Sequence, residues 1–236
     1  MICDRQHLPV GLFGAYDNHC RSSKVIGYQI NYSTEAYGNL WKEIVEKKIL
    51  NQAKCYLKLT GDEGGFSQIA AFSEAIGVGD PTNREAHAAK VYFNRLMGTS
   101  FSRGDENILL NSGLDYGYAI IRGYIARVCV GYGLNTQIGI HHKSEYNRFN
   151  LVDDLMEPFR PFVDMVAYSI LKDEMYFKPD HRRILVDLVN RQVLYHDKKM
   201  FLGNVIEEYV AQMAARIMGR SENVIFPDID GFLFRE

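Results

Sequence analysis

The sequence predicts a mainly α protein led by a short β and linker segment, and three observations carry that expectation. From Thr34 onward apolar residues recur at helical spacing in one segment after another. Several of those segments close on glycine, the residue that most readily ends a helix. Only residues 1–34 differ in texture: LPVGLFGAY and KVIGYQINYS alternate, are rich in Gly and aromatics, and read as extended structure or loop. The division is therefore 1–34 for the front segment and 35–236 for the helical unit.

The helices follow in order. TEAYGNLWKEIVEKKILNQAKCYLKL starts with Thr34 as cap and carries Leu40, Ile44, Ile49, Ala53 and Leu57 as its apolar stripe. FSQIAAFSEAIG is a shorter helix, and GDEGG at 61–65 reads as a loop. NREAHAAKVYFNRLMG follows GVGDPT, and NSGLDYGYAIIRGYIARVCVGYG is a long apolar helix containing Arg122 and Arg127. LVDDLMEPFRPFVDMVAYSIL is expected to bend at Pro158 and Pro161. PDHRRILVDLVN and FLGNVIEEYVAQMAARIMG complete the set, and the tail from Ser221 is irregular.

The totals narrow the function classes. With 47% hydrophobic and 24% charged residues, a chain of 236 is long enough for a core and is not disordered as a whole. A net charge of −2 excludes a uniformly basic nucleic-acid binder, though not a local basic surface. Cys3, Cys20, Cys55 and Cys129 lie far apart, with no zinc-knuckle spacing, which suits a reduced cytoplasmic chain. No window approaches the ~20 apolar residues of a membrane span, and MICDRQHLPV lacks the features of a signal peptide. There is no GK[ST] phosphate loop, GxSxG elbow or HExxH pair.

Two constellations stand out. In DPTNREAHAAKVYFNRLMG, Thr82 and Glu85 have capping-box spacing, a purely structural device. Yet Ala89, Tyr92 and Leu96 continue from Glu85 along one face, which aims its carboxylate inward, where it needs a compensating cation, proton or donor. In GIHHKSEYNRFNLVDDLMEPFRP, His141 and His142 precede Asp153, Asp154 and Glu157 by about a dozen residues. Asn150 is a cap candidate with Asp153 as its box partner, and Asp153, Glu157, Arg160 and Asp164 share a face. The plain alternative is a solvated acidic face. Histidine within loop reach of clustered carboxylates is also a metal-site arrangement.

Charge distribution bears on the choice. Residues 82–103 and 117–148 each balance at +3, and residues 149–175 at −4. An acidic centre bordered by basic segments suits a divalent ion working on a phosphodiester, with ordinary interhelical ion pairing as the alternative. Two carboxylates and an imidazole favour Mg²⁺ or Mn²⁺ over structural zinc.

NREAHAAKVYFNRLMG, NSGLDYGYAIIRGYIARVCVGYGLNTQIGIHH and FNLVDDLMEPFRPFVD, in that order, resemble the CRISPR-associated integrase of spacer acquisition, and the HHKSEYNRFNLVDDLMEPFRP wording its type II branch. The resemblance implies a helical catalytic domain after an N-terminal β-domain, most of which this chain would lack. It implies Glu85, His142 and Glu157 as ligands of one Mg²⁺ or Mn²⁺ and as the catalytic residues, with His141 and Asp154 as neighbours. It further implies double-stranded DNA (spacer fragment and repeat), a homodimer, and the small second CRISPR adaptation protein as partners. The implied reaction is attack of a spacer 3′-hydroxyl on a repeat phosphodiester, an antiviral function. Arg84, Lys90, Arg95, Arg148 and Arg160 lie near the ligands in sequence and are the candidate DNA contacts. The runner-up is a non-catalytic DNA- or partner-binding module of the same family, and a generic metal phosphodiesterase comes third.

Overall fold

The computed structural model describes residues 2–3, 9–11 and 22–233. Strands β1 (Ile2–Cys3) and β2 (Pro9–Gly11) pair antiparallel, and the rest of the front segment that is described is helical. KVIGYQINYS was expected to be extended; instead α1 runs Ser22–Asn31. A distant loop fixes it: Gln29 Nε2 donates to Asn135 O (3.1 Å) and Gln29 Oε1 accepts from Asn135 N–H (2.8 Å). Those are tertiary bonds, invisible to local alternation.

The central element is α2 (Thr34–Thr60). Ser33, not Thr34, caps it, accepting the Ala36 N–H at 3.1 Å, and Gly61 ends it at φ 73°. Its buried side carries Leu40, Trp41, Ile44, Val45, Ile49 and Ala53, but also Lys48, Asn51 and Gln52. Asn51 is fully enclosed and spends its amide on the chain around it. Nδ2 donates to Pro158 O (2.9 Å) and Pro227 O (3.0 Å), and Oδ1 accepts from Ile229 N–H (3.2 Å).

Helices α3 (Glu63–Ala70) and α4 (Arg84–Met97) pack on α2. The expected Thr82 cap of α4 is replaced by Asp80, whose carboxylate accepts the N–H groups of Arg84 (2.8 Å) and Glu85 (2.9 Å). Asp80 (φ 51°) and Asn83 (φ 52°) both take the left-handed turn that makes this reach possible. The buried stripe of α4 is Ala88, Tyr92 and Leu96; Ala89 lies beside it.

The long apolar α5 (Leu109–Gly131) packs against α7 (Arg160–Leu171) and α8 (Pro179–Val186). Glycines make the approach close. A Cβ on Gly113 would stand 2.3 Å from Leu171 Cδ1, and one on Gly117 2.4 Å from Val163 Cγ1. Between α6 (Asn150–Met156) and α7 a 3-10 turn, Glu157–Phe159, makes the bend expected at Pro158.

After α8 a hairpin that sequence inspection passed over pairs β3 (Gln192–Tyr195) with β4 (Lys198–Phe201). His196 (φ 54°) and Asp197 (φ 58°) form its two-residue turn. Helix α9 (Leu202–Ile217) closes the core with Val205, Ile206, Tyr209, Val210 and Met213. The tail then runs back across α2, where Lys47 and Lys54 hold Asp228. Among the described residues no helix is long and apolar enough to cross a membrane.

Candidate metal and phosphodiester centre

Four elements build the centre: α2, the first turn of α4, the loop before α6, and the turn between α6 and α7. The acids of the last segment do not form a solvated face. Asp154 and Asp164 are fully enclosed and Glu157 is 3% exposed, so each carboxylate has to be compensated from within.

Glu157 is compensated by two cations. Arg160 Nε donates to its Oε1 at 2.8 Å, and the Lys48 ammonium pairs with its Oε2, an atom with no hydrogen bond of its own. Burial alone would raise the Glu157 carboxyl, but the Arg160 guanidinium and the Lys48 ammonium outweigh it and bring the pKa down to about 2. The same ammonium also receives Glu85 Oε1 from α4. Glu85 and Glu157, far apart in sequence, therefore converge on one buried positive charge.

His142 approaches from the loop. Its Nδ1 lies 2.6 Å from Asp154 Oδ1, which leaves Nε2 as the ring nitrogen for a ligand. Asp154 also accepts the backbone N–H groups of Ile140 (2.6 Å), His141 (3.0 Å) and His142 (3.2 Å), so one carboxylate shapes the whole Gly-Ile-His-His turn. Gly139 is required there: a Cβ would lie 2.2 Å from His142 O and 2.9 Å from Asp154 Oδ2. The hydrogen bond to Asp154 raises the His142 pKa against the pull of burial. His142 lines a cleft of about 320 Å³ with Asp115, Tyr118, Arg122, Asp153 and Arg160, and also a second cavity of about 520 Å³ beside α1.

The remaining candidates separate from the centre. His141 stacks flat on Trp41, with ring centroids 4.3 Å apart and planes at 4°. Asn150 lies inside α6 and donates to Gln137 O and Ser144 O, so it is not the expected cap. Asp153, the expected box partner, is held by Arg122 Nη2 (2.8 Å) and Asn147 Nδ2 (2.7 Å). Asp164 lies deeper, with Tyr118 donating to it, and burial pushes its carboxyl up to about 6.

Of the candidate DNA contacts, Lys90, Arg95 and Arg148 are exposed and Arg84 is half-buried. Arg95 Nε is engaged with Gln68 (2.5 Å), and Arg160 is committed to Glu157 and lies over the Tyr118 ring (4.7 Å).

Lys48 was not picked out from the sequence. The signal was present, because it falls on the stripe between Ile44 and Ile49 as Glu85 falls on the stripe of α4. A charge on an apolar face asks for a partner.

The donor set suits a divalent ion. Two carboxylates already share a cation, and an imidazole is oriented by a carboxylate on its other nitrogen, as metal-binding histidines usually are. Among the described residues, no group of three His, Cys, Asp or Glu side chains is drawn together closely enough to hold a metal ion, and Lys48 contacts both acids.

A helical protein with an acid pair, an oriented histidine and an adjoining cleft belongs to a class with many members, and comparison fixes which. Residues 2–194 match the family described as CRISPR associated protein Cas1. The chain is 33% identical over 226 residues to the CRISPR-associated endonuclease Cas1 of Neisseria meningitidis serogroup C (strain 8013), covering 94% of this chain and 73% of that protein. The chain belongs to the Cas1 family. Its fold also matches a casposase bound to integration product (TM-score 0.71, 19% identity, 94% of this chain and 72% of that one). A Cas6-RT-Cas1–Cas2 complex matches as well (TM-score 0.70, 18% identity, 93% of this chain and 28% of that one).

Proposed function

We propose that the protein is a divalent-metal-dependent DNA endonuclease and integrase that inserts spacer DNA into a CRISPR repeat array. The observation that carries this reading is the convergence of Glu85 and Glu157, from separate helices, on a single cation position in a chain of the Cas1 family. Glu85, Glu157 and the free Nε2 of His142 would hold Mg²⁺ or Mn²⁺. When bound, that ion would supply charge stabilisation at the scissile phosphate and at the departing oxygen.

The chain's own groups do the rest. Arg160 fixes one oxygen of Glu157, and Asp154 fixes the ring of His142, so each of the two side chains is held by a partner of its own. Arg84, Lys90, Arg95 and Arg148 stand outside the centre as phosphate contacts, while Arg160 reaches DNA only from the cleft that it lines. The 3′-hydroxyl of a spacer fragment attacks a repeat phosphorus. The new P–O bond forms as the repeat's own P–O3′ bond breaks, the repeat's 3′-oxygen leaves and takes up a proton, and no covalent enzyme intermediate arises. Water in place of the spacer hydroxyl gives cleavage.

The catalytic unit is residues 35–236, and residues 1–34 lead into it. The partners are double-stranded DNA, a second copy of the chain, and the small second CRISPR adaptation protein. The match of its fold to a casposase bound to integration product and to a Cas6-RT-Cas1–Cas2 complex supports this reading.

A second reading, a DNA- or partner-binding module without chemistry, draws on the Lys48 ammonium, which with Arg160 already neutralises the acid pair. Strand transfer separates the two. With a labelled spacer-like duplex, a supercoiled repeat plasmid and Mn²⁺, with and without the small partner, joined or relaxed product should form. It should vanish with chelator and in Glu85→Ala. Product that persists in Glu85→Ala removes the site, and no product from folded protein favours the binding module.

A further inference from the structure

We propose that Lys48 is the resident counter-ion of the centre: its ammonium holds Glu85 and Glu157 together when no divalent ion is bound, and the ion binds by displacing it. The inference rests on the metal-site reading above and names the residue that sets the affinity of that site.

The first argument is geometric. Lys48 Nζ contacts Glu85 Oε1 and Glu157 Oε2 at once, and its side chain is 6% exposed. Glu157 Oε1 is already occupied by Arg160 Nε at 2.8 Å. The oxygen left for a further cation is therefore Oε2, the one that Lys48 holds. At Glu157 a metal ion and the ammonium compete for that one oxygen.

Charge gives the second argument. Glu85 and Glu157 are matched one for one by Lys48 and Arg160. A dication added to that neutral group would find only the Asp154 carboxylate, behind His142, to offset its charge. With the ammonium withdrawn, the acid pair regains the surplus negative charge that draws a dication in.

Mobility is the third. Lysine is a compact charge on a flexible four-carbon stem, unlike the planar guanidinium of Arg160, which also lies over the Tyr118 ring. The side chain of Glu85 is 28% exposed against 4% for Glu157, so the ammonium has a way out along the α4 side. Of the two cations at the centre, Lys48 can leave and Arg160 stays.

A lysine that merely braced the two helices would behave in the opposite way, because its removal would splay the acids and weaken metal binding. The test is Mn²⁺ titration by calorimetry on wild type and Lys48→Met, with melting temperatures in chelator and in Mn²⁺. Lys48→Met should melt lower than wild type in chelator, gain more on adding Mn²⁺, and bind Mn²⁺ at least about tenfold more tightly, within the range by which groups around a metal site shift its affinity. Equal or weaker Mn²⁺ binding in Lys48→Met, with wild type binding normally, overturns the role of Lys48 and leaves the metal site standing. No binding in either protein overturns the metal site and this proposal with it.

If Lys48→Met does not fold, amine acylation of the wild-type chain decides. Lys48 should be protected in chelator and become several-fold more reactive in Mg²⁺, while unchanged protection refutes displacement.

Discussion

Helix α2 carries two lysine–carboxylate clusters within a few residues of one another, and they behave as different materials. On one side Lys47 and Lys54 reach Asp228 at 2.8 and 2.7 Å, and Lys54 also reaches Asp230 at 2.8 Å. These side chains are 22–58% exposed, and the cluster straps the tail to the helix. One residue on from Lys47, which is a rotation of about 100° around the axis, Lys48 points into the molecule and is 6% exposed. The residue types are the same. What differs is water: the strap is screened and its charges can relax, whereas Lys48 and Glu157 are shut away from solvent and only Glu85 keeps partial access to it.

The largest effect expected from breaking that contrast is on chemistry. Glu85→Ala, His142→Ala and Glu157→Ala should each cut strand transfer by at least about 10²-fold, the scale of losing one preorganised electrostatic group. Substituting Asp228 should leave it unchanged. An in vitro joining assay reads both.

Next comes stability in chelator. Removing Lys48 takes one of its two cations from the buried Glu157 and the cation from the partly exposed Glu85, and should cost about 3–5 kcal/mol in a urea melt, against about 0–1 kcal/mol for Asp228→Asn, whose effect should also shrink with salt. Equal costs would erase the distinction between the clusters.

The pH dependence sharpens it further. Glu157 is held at about 2, below its unfolded value. Its contribution is therefore fully present above pH ~4.5 and is lost as pH falls toward 2. Asp164, only a few residues along, has a phenol for a partner and no cation in contact, and burial takes it up to about 6. Its sign is reversed: the contribution is present below pH ~3.8 and is lost as pH rises through 6. Asp164→Asn should accordingly gain on wild type by of order 1–2 kcal/mol between pH 4 and pH 8 in denaturant titrations. A flat difference would show that Tyr118 and Arg160 already compensate the charge.

The sequence reading succeeded where a pattern is local and failed where a partner is distant. Most helical segments from Thr34 to Ile217 were legible because apolar spacing and terminal glycines are properties of a short window, but GDEGG, expected to be a loop, supplies the start of α3 at Glu63, and FSQIAAFSEAIG breaks after Ala70 into a 3-10 turn at Ser73–Ala75. The side chain that caps α4 lies two residues before the expected Thr82, since the reach of Asp80 depends on left-handed turns at Asp80 and Asn83 that Thr82 and Glu85 do not announce. Helix α1 was read as extended because Gln29 finds its partner at Asn135, 106 positions away. The hairpin was passed over because His-Asp is a weak signal for a turn that wants two positive φ values. At the centre, the inward aim of Glu85 and the closeness of His142 to acids were readable. That Asp154 shapes the histidine turn was not, because three of its bonds go to backbone atoms of residues 140–142.

By itself, then, the sequence determined the helical periodicity, the acidic segment between basic ones, and the motifs by which the chain is recognised as Cas1. Each is written in neighbouring residues. Which charges meet was decided only by the tertiary structure. The acids of residues 153–164 face the same way on paper, yet Arg122 takes Asp153, the histidine loop takes Asp154, Lys48 and Arg160 take Glu157, and Tyr118 takes Asp164. The reason is dielectric. Once packing removes the water, a carboxylate is defined by whichever donor lies within about 3 Å, and that donor most often comes from a distant segment of the chain.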